Sequence, residues 1–228
     1  MGNGEKMEDK QFELIEEPEL FKNARNPQGE LGDELLDWMA KNHENLAKWG
    51  VSHLNVNEDD VILDIGCGGG VNVERFLKMN CAKVCGLDYS ALAVKRSVQL
   101  NQKAIDEGRC EILQGSVSDL PYEDNSFDIV TAFETIYFWP DIADDLKEVS
   151  RVLDDDGIFF ICNEAVPKKD DERQRELIEL LDMNIYSGDE LEEYLRQAGF
   201  SDVLCILKEG PDSVTGKIIT WLCVIAQK

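Results

Sequence analysis

The chain has 228 residues, 43% of them hydrophobic, and a formal net charge of −24. That length holds one α/β domain with a two-sided core and is marginal for two, and the composition is a folding one. A charge this negative disfavours DNA, RNA and other polyanions, which need Lys and Arg against their phosphates.

No apolar run reaches the roughly 18–20 residues that span a bilayer. Met1 to Lys10 is polar and charged and lacks the apolar segment of a secretory signal. The nearest approach to a basic cluster is Lys168-Lys169, which acids follow. A small molecule, or a basic patch on a partner protein, suits such a surface. The seven cysteines, Cys67, Cys81, Cys85, Cys110, Cys162, Cys205 and Cys223, form no CxxC pair. Most lie in apolar runs, as reduced thiols of a cytoplasmic protein do. His43 and His53 are too few for a zinc site of their own.

In chain order, residues 1–28 read as a flexible polar lead-in with a helical turn near Pro18–Phe21. Leu31–Trp49 has helical spacing in Leu35, Leu36, Met39, Leu46 and Trp49, with Asp33 as cap. Val61–Ile65 is a short apolar run ending in glycines, hence a buried strand. A helix over Val71–Met79, a strand over Lys83–Leu87 and a helix over Ala91–Glu107, stopped by Gly108, follow. Glu111–Leu113 and Phe127–Phe133 are strands, Asp141–Leu153 a helix and Gly157–Cys162 a strand. Ala165–Tyr186 reads as a charged helical insertion. Asp189–Ala198 is a helix opened by Ser187 and closed by Gly199. Val203–Leu207 and Ile218–Ala226 are joined by a link, Lys208–Lys217, too short for a crossover, so they form an antiparallel hairpin. The alternation predicts a doubly wound, Rossmann-like α/β fold: a seven-stranded, mostly parallel sheet with helices on both faces.

The segment Asp64-Ile-Gly66-Cys67-Gly68-Gly-Gly70 lies between a strand and a helix, where glycines let backbone approach a ligand. A dinucleotide fingerprint wants a glycine at the sixth position, which is Val71 here. Asp64, two residues before the first glycine, would repel a pyrophosphate and attract an ammonium or sulfonium. Asp88, at the end of the second strand, is placed to accept from ribose hydroxyls or to cap the next helix.

These motifs, with Gly86-Leu-Asp88-Tyr-Ser, Gly115-Ser-Val-Ser-Asp-Leu-Pro121-Tyr, Asn125-Ser-Phe-Asp-Ile-Val130, Leu146–Leu153 with Gly157-Ile-Phe-Phe, and Gly188–Leu191 through Ala198-Gly-Phe200, resemble the class I S-adenosylmethionine-dependent methyltransferases of the UbiE/small-molecule kind. The resemblance covers residues 31 to 228. It implies a single methyltransferase domain over 29–228, with the N-terminal helix and the 165–186 insertion as a lid. Its cofactor would be S-adenosyl-L-methionine. Asp64, Gly66, Gly68 and Gly70, with Cys67 among them, would surround the methionine part. Asp88 would bind the ribose, and Tyr89, Ser116 and Val117 would lie at the adenine. Phe133 and Glu134 would flank the sulfonium. The chain departs from the family at Ser116, often Asp and a stronger acceptor, and at Asp154-Asp-Asp-Gly157, where the family has Lys-Pro-Gly-Gly. Three adjacent acids do not converge on an ion unaided, so no metal is expected there.

The implied chemistry is in-line transfer of a methyl group to a small-molecule acceptor. The cofactor carries the activated group, so the protein mainly aligns and desolvates. Acceptor-site candidates are Glu134 and Tyr137-Phe138-Trp139 after the fourth strand, Asn163-Glu164 after the fifth, Tyr186, and His43 to Trp49. The rings suit an apolar acceptor or simple packing. His43 and Tyr137 are the candidate catalytic groups. The expected state is a monomer or weak homodimer with no nucleic-acid or membrane partner. Two other readings remain: a non-catalytic methyltransferase-like partner protein and an NAD-dependent oxidoreductase.

Overall fold

A computed structural model of the chain describes residues 18–211 and 218–228. Residues 1–17 of the expected lead-in, and 212–217 of the expected link, lie outside the described residues. The described elements run α1 (Pro18–Phe21), α2 (Gly29–Asn42), α3 (Glu44–Val51), β1 (Val61–Ile65), α4 (Val71–Leu77), β2 (Lys83–Asp88), α5 (Ala91–Asp106), β3 (Cys110–Gln114) and β4 (Phe127–Phe133). A 3-10 turn (Ile136–Phe138) then leads to α6 (Ile142–Val152), β5 (Leu153–Asn163), α7 (Glu172–Leu181), α8 (Gly188–Gln197), β6 (Val203–Pro211) and β7 (Ile218–Gln227).

The strands form one seven-stranded sheet in the order β3-β2-β1-β4-β5-β7-β6. Pairs among β1 to β5 are parallel, whereas β7 runs antiparallel to both β5 and β6. This is the mostly parallel Rossmann-like sheet with a C-terminal antiparallel hairpin that the element pattern predicts. Successive side chains alternate between faces of a strand. Leu63, Cys85, Val130, Phe159 and Val224 therefore share one core with α6 and α8. Ile62, Val84, Ile129, Phe160 and Cys223 share the other with α3 and α4. Chain order reverses direction across the sheet between β1 and β4, which puts the ligand crevice at their carboxyl ends.

The predicted Leu31–Trp49 helix is two helices. His43 leaves helical geometry at φ −86° and ψ 4°, ending α2 and opening α3. The two halves serve different partners: α3 buries Leu46, Ala47 and Val51 against the sheet, while Leu35 of α2 packs with Leu20 and Phe21 of α1. Nor does Asp33 cap a helix, since α2 starts four residues earlier, at Gly29. Its carboxylate instead accepts from Arg96 at 2.9 Å. The Asp154–Asp156 turn is drawn into the start of β5, where all three acids stay exposed. Only Glu172–Leu181 of the 165–186 insertion is α-helical. Both hairpin strands run further than predicted, β6 to Pro211 and β7 to Gln227.

Candidate active site

A cavity of about 500 Å³ opens where β1 and β4 end. Its floor is the β1–α4 loop. Gly66 adopts φ +71°, and a Cβ there would lie 2.2 Å from Thr135 Oγ1, so the loop can abut the end of β4 only without a side chain. The amides of Gly66 and Cys67 donate to the carbonyl of Leu87 at 2.7 and 3.0 Å. A Cβ added at Gly69 would meet nothing within 4 Å, so this part of the loop faces open space.

Asp88 ties the loop to the next strand. Its Oδ2 accepts from the Gly68 amide and its Oδ1 from the Ser90 amide, each at 2.8 Å. Both oxygens keep a lone pair for a further donor. Burial raises its pKa, against the pull of these amides. The helix cap belongs to Ser90, whose hydroxyl accepts from the Ala93 amide at 3.1 Å.

Asp64 lies off the cavity wall. It pairs in register with Thr131 across β1 and β4, so the two side chains share a face, and Thr131 Oγ1 donates to Asp64 Oδ1 at 2.7 Å. Only 2% of Asp64 is exposed. Burial first, and the charge of Asp88 after it, push its pKa up to about 7. Gly70, at φ +84°, also sits behind the wall, where a Cβ would strike Ser97 and Asn101. Of the predicted cofactor residues, Gly66, Cys67, Gly68, Asp88, Tyr89, Ser116, Val117 and Phe133 do line the cavity. Burial drives the Cys67 thiol well above its ordinary value, as suits a packing group and not a nucleophile.

The far wall carries the other titratable groups. Glu134 follows β4 in the left-handed region, at φ +56°, a strained setting for a residue with a side chain. Its amide continues the β4–β5 pairing by donating to Cys162 O at 3.0 Å. Its Oε1 accepts from the Glu164 amide and, at 3.1 Å, from Tyr137 Oη. The Tyr137 oxygen in turn accepts from the Ala165 amide at 3.0 Å. His43 Nε2 lies 3.6 Å from Glu164 Oε1, and its ring meets Trp38 edge-on. One polar atom each from His43, Glu134 and Glu164 lies within 4.8 Å of the others, so their charges act directly on one another. Burial, then the charge of Glu164, raise the pKa of Glu134 to about 8. His43 and Glu134 line the cavity, whereas Tyr137 and Glu164 stand behind them.

Among the remaining acceptor-site candidates, Phe138, Trp139, Glu44, Leu46 and Ala47 reach the wall. Trp49 instead packs at a tilt against Trp221 beneath Lys208, and Tyr186 packs edge-on against Tyr194. Asn72 and Arg75 also line the cavity, and sequence reading missed them. The signal was present: Val71 and Arg75 are one helical turn apart and share the α4 face that follows the loop. At the mouth, Arg25 lines the wall and pairs with Asp182 at 2.8 Å. Leu181 packs against the cluster of Leu20, Phe21 and Leu35, so the lead-in and the insertion meet there.

Comparison with known proteins identifies the family. The family described as "Methyltransferase domain" matches residues 63–161. The Bacillus subtilis (strain 168) protein named "Putative methyltransferase YrhH" is 30% identical over 134 residues, covering 58% of this chain and 71% of that one. The 27-O-demethylrifamycin SV methyltransferase of Amycolatopsis mediterranei (strain S699) is 32% identical over 152 residues, 64% of this chain and 56% of that one. In fold, the chain is similar to Haemonchus contortus phosphoethanolamine N-methyltransferase 2, solved with S-adenosyl-L-methionine. The TM-score is 0.75 at 16% identity, over 91% of this chain and 60% of that one. The chain belongs to the class I S-adenosylmethionine-dependent methyltransferases, whose cofactor is S-adenosyl-L-methionine. It spans from 33% to 56% of the length of the first curated relatives it matches.

Proposed function

We propose that the chain transfers the methyl group of S-adenosylmethionine to a small-molecule acceptor in the β1/β4 cavity. The single observation that carries this reading is the Asp88 carboxylate. It is half-buried at the cavity edge, held by two backbone amides, and keeps an accepting lone pair on each oxygen. A ribose diol presents the two donors such a group lacks. Val117 and Tyr89 beside it suit a flat base, with Ser116 as a neutral acceptor. The glycine loop from Gly66 to Gly69 makes room for the amino-acid part. Arg75 and Glu44, opposite in charge on that wall, suit its carboxylate and ammonium. Asp64 and Gly70 hold the loop from behind, with Thr131, Ser97 and Asn101 as their neighbours.

The bound cofactor supplies an electrophilic methyl carbon. The protein aligns the acceptor with that carbon and keeps water away, using Phe133, Phe138, Trp139 and the wall of residues 24–27. The domain is read as residues 29–228, with α2 and the 165–186 insertion acting as its lid. The Arg25–Asp182 pair and the packing of Leu181 support that reading.

The acceptor is read as a small molecule, as the rifamycin relative's name states for that protein. The acidity of the chain disfavours nucleic acid, and among the described residues no helix is long and apolar enough to cross a membrane. Free thiols at all seven cysteines accord with a reducing, cytoplasmic setting. Transfer is read as needing no metal, and the chain as a monomer or weak homodimer.

Calorimetry with S-adenosylmethionine and S-adenosylhomocysteine tests the reading. Both are expected to bind the wild type, and Asp88→Ala to weaken both by about 10- to 100-fold, since hydrogen bonds to a charged group contribute roughly 1.5–3 kcal/mol. Well-folded wild-type protein that binds neither ligand would sink it.

A further inference from the structure

The carboxyl group of Glu134 has surroundings that the cofactor reading leaves unused. It lines the cavity directly behind Phe133, while Glu164 and Tyr137 hold it from the protein side. Because Gly66 abuts Thr135, the glycine loop and the end of β4 form adjoining walls. A ligand with its amino-acid part on the loop and its ribose on Asp88 carries its sulfonium along the β4 wall, beside Glu134. We propose that Glu134 is a proton-for-sulfonium exchange site: its carboxyl is protonated in the free protein, ionises when the sulfonium form of the cofactor binds, and then serves as base toward an acceptor bearing an N–H or O–H group. This rests on the cofactor reading above and adds to it the acceptor class.

Charge and geometry carry the argument. Two carboxylates whose oxygens lie within 4.8 Å of each other in a half-buried setting oppose each other's ionisation. The groups facing Glu134 are His43 from the α2–α3 junction, Glu164 and Cys162 from β5 and its end, and Tyr137 from the 3-10 turn. Burial and the Glu164 charge favour the proton on Glu134 near neutral pH. A positive charge within about 4–6 Å lowers a carboxyl pKa by about 1–3, enough to expel that proton at pH 7.

The resulting carboxylate takes the proton of the acceptor's N–H or O–H as the nitrogen or oxygen lone pair bonds to the methyl carbon. The carbon–sulfur pair returns to sulfur, leaving a neutral thioether. Glu134 ends protonated, the sulfonium charge is gone, and the two changes balance. The base is thus ionised only while a methyl group is present to transfer.

The test counts protons on binding, with no acceptor present. The full chain is titrated with S-adenosylmethionine and with S-adenosylhomocysteine at pH 7 in buffers of different ionisation enthalpy, all containing chelator. The wild type is expected to release most of one proton more with the sulfonium ligand than with the thioether. Its preference for the sulfonium should fall as the pH drops below 8. Glu134→Gln should bind the thioether as the wild type does and lose the excess release. That variant retains the cofactor amine's own contribution, which separates the two sources of protons. Glu164→Gln, which removes the neighbouring charge, should reduce the release at pH 7, and it serves if the first variant does not fold. Equal proton release with both ligands in the wild type overturns the proposal, as does an excess that persists in Glu134→Gln. Failure of both ligands to bind overturns the cofactor reading itself.

Discussion

At Gly66 one hydrogen in place of a methyl group decides whether the glycine loop can reach β4. The residue sits at φ +71°, and an added Cβ would stand 2.2 Å from Thr135 Oγ1. Gly66→Ala therefore combines left-handed strain with a clash, and is expected to cost at least about 1–3 kcal/mol. A denaturant midpoint unchanged from wild type would contradict that geometry. Asp64 shows a different residue-scale effect. Its folded pKa of about 7 stands above its ordinary 3.8. Between those values the folded chain holds a proton that the unfolded chain gives up. Raising the pH from about 4 to about 7 thus lowers stability through this group. Asp64→Asn has no proton to lose, and its melting temperature should fall less across that window than the wild type's. Parallel curves would show that Asp64 is ionised throughout.

At the scale of elements, caps are local and legible. Ser187 caps α8 reciprocally: its hydroxyl accepts from the Glu190 amide at 3.2 Å, and Glu190 Oε2 accepts from the Ser187 amide at 2.8 Å. Ser187→Ala is expected to lower stability by about 0.5–2 kcal/mol, measured as a shift in urea midpoint without a change in slope. The same locality explains what sequence reading could see. Strands flanked by glycine, such as Val61–Ile65, and the Ser187 start announce themselves within a few residues. The break at His43 does not, because Asn42-His43-Glu44 contains no proline or glycine. It exists because α2 and α3 pack on different partners, a tertiary fact. The site was divided in the same way. Asp88, Gly66 and Gly68 follow from strand–loop–helix chemistry, and so does their place at the cavity. The convergence of His43, Glu134 and Glu164 joins residues 43, 134 and 164, and only the sheet order β1-β4-β5 with α3 packed on β5 brings them together. Asp64 was legible as an acid beside the loop. Its turn toward Thr131 depends on strand parity and on register with β4.

For the whole molecule, the sheet order and the −24 charge act together. The order β3-β2-β1-β4 opens the crevice between β1 and β4, and residues 24–27 and α2 on its wall contact the end of α7 through Arg25–Asp182 and the Leu181 cluster. An acidic chain with carboxylates in its crevice favours cationic ligands and repels anionic ones. A zwitterionic sulfonium matches that field better than a dinucleotide does. The most direct test of the account is a crystal structure of the full chain grown with S-adenosylhomocysteine. Density is expected along the β1–β4 crevice, with both ribose hydroxyls on Asp88, the amino-acid part over Gly66 to Gly69 and the sulfur facing Glu134. Density elsewhere, or a ribose turned away from Asp88, would contradict it.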